Sequence, residues 1–273
     1  MRELSLEEIH QVTLEMMDEI HQICEAHQIT YFLAFGTLIG AIRHSGFIPW
    51  DDDFDILMPR KEYERFREVF RQAGHPFYRL CERKNTPNYI YGIPRFSDTR
   101  YTYVTTSRYM EQFDNGIFID IYPLDNYGNT YDDAKRIKKK VVRLNMMYDM
   151  YINAVNQQGG IRSFVQHICH RLLRIRYRDR LPERMDDMVY DIVRKNTTDM
   201  DSQVGDVVWD AYISPYPREW FEERILHDFD GRQYWIPKAY DAFLRQDYGD
   251  YMQLPPEAER HPQHEYKIYR KDE

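Results

Sequence analysis

The run Gly36-Thr37-Leu38-Ile39-Gly40-Ala41-Ile42-Arg43-His44-Ser45-Gly46-Phe47-Ile48-Pro49-Trp50-Asp51-Asp52-Asp53-Phe54-Asp55-Ile56-Leu57-Met58 decides how this chain is read. Four carboxylates fall within the five residues from Asp51 to Asp55. So close together they repel, and without a cation some must be protonated or turned far into water. Asp53 and Asp55 alternate around Phe54 and lead into Ile56-Leu57-Met58. In a strand over Phe54 to Met58, side chains two apart share one face. Asp53 and Asp55 then aim at one point, and paired hard oxygens suit Mg²⁺ or Mn²⁺. Asp-rich runs are otherwise solvated turns or helix caps. The apolar flanks argue against that reading for Asp53 and Asp55. For Asp51 and Asp52 both readings stand.

Working outward, Gly36-Thr37 lies between a β-rich apolar run, Thr30 to Phe35, and a short helix over Leu38 to His44. A strand-to-helix turn offers backbone N–H groups and the positive end of a helix to a phosphate. Downstream, Asp120 interrupts an apolar strand over Ile117 to Tyr122. Such an Asp is costly unless it caps, pairs or binds metal. A Gly-Thr turn, an Asp-x-Asp on a strand and a later Asp between apolar residues form the pattern of the nucleotidyltransferase fold. There, three carboxylates hold divalent ions at a nucleotide's phosphates. Fifteen residues separate Thr37 from Asp53, slightly more than that pattern's usual interval.

The remaining elements follow from periodicity and breakers. Ser5-Leu6-Glu7-Glu8 opens an amphipathic helix over residues 6–26. Lys61 to Ala73 reads as a helix stopped by Gly74. Phe77 to Cys81, Tyr89 to Phe96 and Tyr101 to Val104 read as strands. Helices are expected over Tyr131 to Val155, Ile161 to Arg178 and Pro182 to about Lys195. Phe221 to Ile236 reads as a hairpin around Asp230-Gly231, Lys238 to Asp247 as a short helix, and the tail from Pro255 as irregular. The expected architecture is α/β (α+β). A nucleotidyltransferase-like mixed-sheet core spans residues 1–130. A mostly helical extension spans 131–273, and its C-terminal segment returns to the core.

The 273 residues are 42% hydrophobic and 30% charged, a globular composition without a run long enough to span a bilayer. The opening residues lack an apolar signal core, and Cys24, Cys81 and Cys169 are scattered, so a cytoplasmic location is expected. A net charge of -8 argues against nucleic acid as a partner. Residues 135–180 nevertheless hold twelve Lys/Arg against Asp149 and Asp179. Within them Ile161, Phe164, Val165, Ile168, Leu172 and Ile175 form one helical stripe, with Arg162, Arg171, Arg174, Arg176 and Arg178 around it. Either that helix packs its stripe into the core, or the basic region contacts an anionic membrane from the cytoplasmic side.

Tyr31 to His44, followed by Ile48 to Asp55, closely resembles the LicD family of phosphocholine transferases, which is related to fukutin-related ribitol-phosphate transferases. The resemblance continues at Asp120 to Asp125, Phe229-Asp230-Gly231, Pro237, Tyr248 to Met252, Leu254-Pro255-Pro256, His261 and His264. It implies transfer of a phospho-alcohol, phosphocholine foremost, from a CDP-linked donor to a hydroxyl of a free or lipid-linked glycan precursor, with release of CMP. It also implies site roles. Asp53 and Asp55 hold Mg²⁺ or Mn²⁺ and the donor pyrophosphate. Asp120 completes the metal site or takes the acceptor proton. Gly36 and Thr37 cradle phosphate, and Arg43 and Arg95 contact it. His44, His261 and His264 stand as further candidates beside Asp51 and Asp52. Two other readings remain: an Asp-x-Asp glycosyltransferase using a nucleotide sugar, and a non-catalytic glycan- or nucleotide-binding module. The first usually places a Rossmann half before the pair, and only about fifty residues precede it here.

Overall fold

The computed structural model describes residues 1–105, 116–152, 161–178, 180–208, 212–262 and 266–272. The chain opens with β1 (Arg2–Glu3) and α1 (Leu6–His27). A capping box starts α1: Glu8 N–H donates to Ser5 Oγ and Ser5 N–H to Glu8 Oε2. Met16, Met17, Ile20 and Cys24 form its buried face. Next come β2 (Phe32–Leu33), α2 (Phe35–His44), β3 (Asp55–Pro59) and α3 (Arg60–Ala73). Then follow β4 (Tyr78–Cys81), β5 (Arg95–Asp98), β6 (Tyr101–Thr105) and β7 (Ile117–Gly128). Three helices succeed them, α4 (Tyr131–Ile152), α5 (Ile161–Tyr177) and α6 (Leu181–Asn196). The chain closes with β8 (Gln203–Gly205), β9 (Tyr216–Pro217), β10 (Arg224–Phe229), β11 (Arg232–Pro237), α7 (Tyr240–Tyr248) and β12 (Tyr266–Arg270).

The central sheet runs β2-β3-β7-β5-β4, and β8 extends it by pairing with the far half of β7 and with β9. β3 and β7 are parallel, while the other pairs are antiparallel, so the sheet is mixed and the α/β expectation holds. Register sets Asp55 opposite Asp120, and Asp120 opposite Arg95. The start of α3 is bound to β7 by Arg60, whose Nε and Nη2 donate to the two Asp125 oxygens at 2.8 and 2.6 Å. Asp125 is thereby explained as a strut.

Several elements differ from the sequence reading. α2 begins at Phe35, so Gly36 and Thr37 fall inside its first turn rather than before it. The strand expected over Tyr89 to Phe96 is confined to Arg95–Asp98. Gly92 and Pro94 break the run, and the Tyr89 hydroxyl donates to the Ile93 carbonyl, closing a loop. β7 continues six residues beyond Tyr122 because its second half finds β8. The tail is not wholly irregular: β12 lies between β1 and β6 and buries Ile268. The hairpin forms as expected, with Asp230 and Gly231 at φ 45° and 77°, the left-handed pair a tight turn requires. α4 ends its described span at Ile152, and the rest of its expected length lies outside the described residues.

Among the described residues two apolar clusters result. The larger combines α1, the sheet and the C-terminal residues Phe221, Phe229, Tyr234, Phe243 and Ile268. The smaller joins Tyr127 to Ala134, Ile137, Val141 and Tyr148 of α4, and to Leu181, Met185, Val189 and Val193 of α6. None of the described helices is long and apolar enough to cross a membrane.

Candidate active site

One row of side chains crosses three adjacent strands: Asp55 on β3, Asp120 on β7, Arg95 on β5. Residues directly opposite in a sheet point to the same face, so the three share one surface. Asp55 is fixed at its backbone. Its N–H donates to Thr37 Oγ1 at 2.8 Å, and its carbonyl accepts from Ala34 N–H at 3.0 Å. The Thr37 hydroxyl oxygen, expected to cradle phosphate, therefore positions Asp55. Phe35, the first residue of α2, holds φ 47°. A bulky residue reaches that region only under strain, about 1–3 kcal/mol. The surrounding contacts sustain it: Phe35 packs edge-on to Tyr122 at 4.9 Å and beside Phe243 at 5.9 Å.

The Asp-rich turn folds against this frame. Asp51 N–H donates to the Ile48 carbonyl, and the Asp51 carbonyl lies 2.6 Å from His10 Nε2. A Cβ at Gly36 would sit 2.9 Å from Asp51 Oδ2, so glycine allows the turn to approach α2. From the other side, the β10–β11 turn clips the loop before it. Asp230 Oδ2 accepts from Phe47 N–H at 3.1 Å, and Asp230 N–H donates to the Ser45 carbonyl at 2.8 Å. A Cβ at Gly46 would fall 2.2 Å from Asp230 Oδ1. Phe54 anchors the turn, meeting Phe47, Phe229 and Tyr234 edge-on.

Electrostatically the cluster is under load. Burial, and then the charges of Asp53, Asp120 and Asp51, push the Asp55 carboxyl well above the usual carboxylate range, with Arg95 opposing. Among the described residues Asp55 Oδ1 is buried without a hydrogen-bond partner. Asp120 stands otherwise. Arg95 Nε donates to its Oδ1 at 2.7 Å, and the guanidinium is sandwiched between the rings of Tyr91 and Phe118 at 3.7 and 3.8 Å. Burial works against the Arg95 charge, but Asp120, Tyr89 and Tyr91 outweigh it and its pKa rises. Arg95, expected on donor phosphate, is thus spent on Asp120.

The described residues contain no ready group of three His, Cys, Asp or Glu side chains around one ion. The orphaned Asp55 oxygen beside Asp53 is a two-carboxylate start, and hard oxygen donors of that kind fit a small divalent cation. Asp120 can share in such a site only through its second oxygen or by parting from Arg95.

The other candidates separate. Arg43 Nη1 donates to the carbonyls of Tyr251 and Gln253 at 2.7 and 3.3 Å, and its Nε to His44 Nε2 at 3.0 Å. It clamps the segment after α7, where phosphate contact was expected. His44 lies edge-on to Trp50 at 6.3 Å, and burial followed by the Arg43 charge lowers its pKa. Asp52 is largely buried. His261 is exposed, its Nδ1 3.0 Å from the Pro262 carbonyl, while the neighbouring Arg260 lies over Trp50 at 5.8 Å. His264 lies outside the described residues.

Sequence reasoning passed over two tyrosines. Tyr122 lies two residues beyond Asp120 and on its face. Burial, and then Asp55, Asp120 and Asp53, raise its pKa. Tyr248 ends α7 at the cluster's rim. Burial, and then Asp55, Asp247, Asp53 and Asp51, raise its pKa too, yet the residue is 45% exposed. A tyrosine at the rim can therefore meet a ligand. Its signal was the block Tyr248-Gly249-Asp250; among 23 tyrosines, composition alone singles out none.

A mixed sheet that sets Asp55 opposite Asp120 on neighbouring strands, with Asp53 in the turn just before the first of them, is a nucleotidyltransferase-type architecture. Residues 28–150 match the family model described as LicD/FKTN/FKRP, nucleotidyltransferase domain. The lipopolysaccharide cholinephosphotransferase LicD of Haemophilus influenzae is 31% identical over 98% of this chain and 99% of its own length. Uncharacterised proteins of Rickettsia typhi and Rickettsia prowazekii are 29% and 28% identical, each over 41% of this chain. The chain belongs to the LicD family.

Proposed function

We propose that this protein is a metal-dependent phosphotransferase that moves phosphocholine from a CDP-linked donor to a hydroxyl of a cell-surface glycan precursor. Lipopolysaccharide is the first acceptor to test, with teichoic acid and capsule precursors beside it. The carrying observation is the buried Asp55 carboxylate, crowded by Asp53, Asp120 and Asp51, in a chain similar over its length to a lipopolysaccharide cholinephosphotransferase. Such crowding calls for positive charge. In this reading Asp53 and Asp55 hold Mg²⁺ or Mn²⁺, which when bound neutralises the donor's pyrophosphate and the departing CMP. The acceptor oxygen forms the new P–O bond as the P–O bond to CMP breaks. CMP leaves with the electron pair, and the hydroxyl proton passes to Asp120, which Arg95 holds in place. Thr37 keeps Asp55 in position, and Tyr248 meets the substrate at the rim. The chemistry is mainly placement and charge compensation. The free thiols of Cys24, Cys81 and Cys169 accord with a reaction on the cytoplasmic side.

CMP release from a panel of CDP-alcohols, with Mg²⁺ or Mn²⁺ and an Asp53→Asn control, tests this. Consumption of CDP-choline by the wild type, lost by at least about 10²-fold in the variant, is expected. Turnover of a UDP- or GDP-sugar instead would replace the reading with a glycosyltransferase. Nucleotide binding without any turnover would leave a binding module.

A further inference from the structure

Helix α5 presents its apolar side outward. At 100° per residue, Phe164, Val165, Ile168, Leu172 and Ile175 lie within an arc of about 100°. All five are exposed, Phe164 by 67% and Ile175 by 74%. The opposite side fixes the helix to the protein. Leu173 and Tyr177 pack on the smaller apolar cluster, His170 Nδ1 lies 3.1 Å from the Met150 carbonyl, and Arg174 stacks over Tyr151 at 4.8 Å. A core-packed stripe, one of the two sequence readings, is therefore excluded for these five; the side chains of residues 161–163 lie outside the described set. Arg171 flanks the arc on one side and Arg176 on the other, and both are exposed. Met146 and Met150 of the neighbouring α4 add exposed apolar surface.

Charge separates the possible occupants. No Asp or Glu occurs between Asp149 and Asp179. Residues 135–180 carry +10 (twelve bases less two acids), and the rest of the chain -18, since the whole carries -8. A symmetric pairing of two α5 helices would set arginine against arginine. An anionic lipid surface complements both the apolar arc and its basic flanks, whose long stems can lie along the acyl boundary while the guanidinium groups meet phosphates. The strongly acidic remainder is repelled by the same surface, so this face alone can approach it.

We infer that α5 is a membrane-surface anchor that inserts Phe164, Val165, Ile168, Leu172 and Ile175 among anionic lipids and holds the enzyme flat on the bilayer. The inference goes beyond the phosphotransfer reading and does not depend on it. The full chain is sedimented with vesicles of phosphatidylcholine alone or mixed with phosphatidylglycerol, without donor or acceptor. Binding to the mixed vesicles, weakened by salt, is expected. Phe164→Asp combined with Leu172→Asp should lower partitioning by at least about ten-fold. Arg171→Gln with Arg176→Gln should weaken it on anionic vesicles. Circular dichroism and melting should remain unchanged, because these side chains face outward. The inference is overturned by absent binding at low salt, by binding that neither variant alters, or by a dimer in sedimentation velocity that Phe164→Asp dissolves while vesicles are ignored.

Discussion

At the residue scale the site depends on Asp55, whose carboxyl is more easily protonated in the folded chain than in the unfolded one. The folded state then binds more protons over the intervening pH, so its stability is full below the ordinary carboxylate pKa of about 4 and falls as pH rises through the raised folded value. Melting of metal-free protein should therefore decline across that window. Asp55→Asn should flatten the decline while abolishing turnover, and Mg²⁺ should reverse it in the wild type alone. A pH dependence that survives Asp55→Asn would refute the account. The placement of Asp55 and Asp120 in strands was legible because a polar residue inside an apolar run is conspicuous, whereas Asp53 falls in the turn before β3. The partners of these residues were not. Arg95 meets Asp120, and Thr37 meets Asp55, only through strand register and the tilt of α2. Neither is written in local spacing.

At the scale of elements, the β10–β11 turn acts on the Asp-rich loop from 183 residues away. Gly46→Ala would drive a methyl into Asp230 and should cost about 1–3 kcal/mol in urea unfolding. Asp230→Ala removes both that clash and the bond to Phe47. The double variant should consequently lose less than the sum of the two singles. Strict additivity would show that the turn and the loop are uncoupled. Asp230-Gly231 announced the hairpin, since few other pairs accept two left-handed residues. What it grips emerges only when the chain has folded. β12 escaped notice for a different reason. It buries Ile268 among polar and aromatic neighbours, and five such residues give too short a period to distinguish from a loop.

At the scale of the molecule, the N- and C-terminal strands are joined with β6 in one small sheet, and Ile268 plugs it into the larger cluster. Ile268→Ala should cost about 2–5 kcal/mol, read as a shifted urea midpoint with an unchanged slope. A change under about 0.5 kcal/mol would mean the tail is merely laid on the surface. The parallel ladder of β3 and β7 has a wider bearing. Side chains alternate, so adding or deleting one residue within either strand would swap the carboxylate for a neighbouring isoleucine and turn the pair inside out. Lengthening the turn from Ser45 to Phe54 leaves that parity intact. The site can therefore inherit loops of different size upstream yet tolerates no odd change in its strands, which accounts for a fifteen-residue spacing that departs from the usual interval without disturbing where Asp55 points.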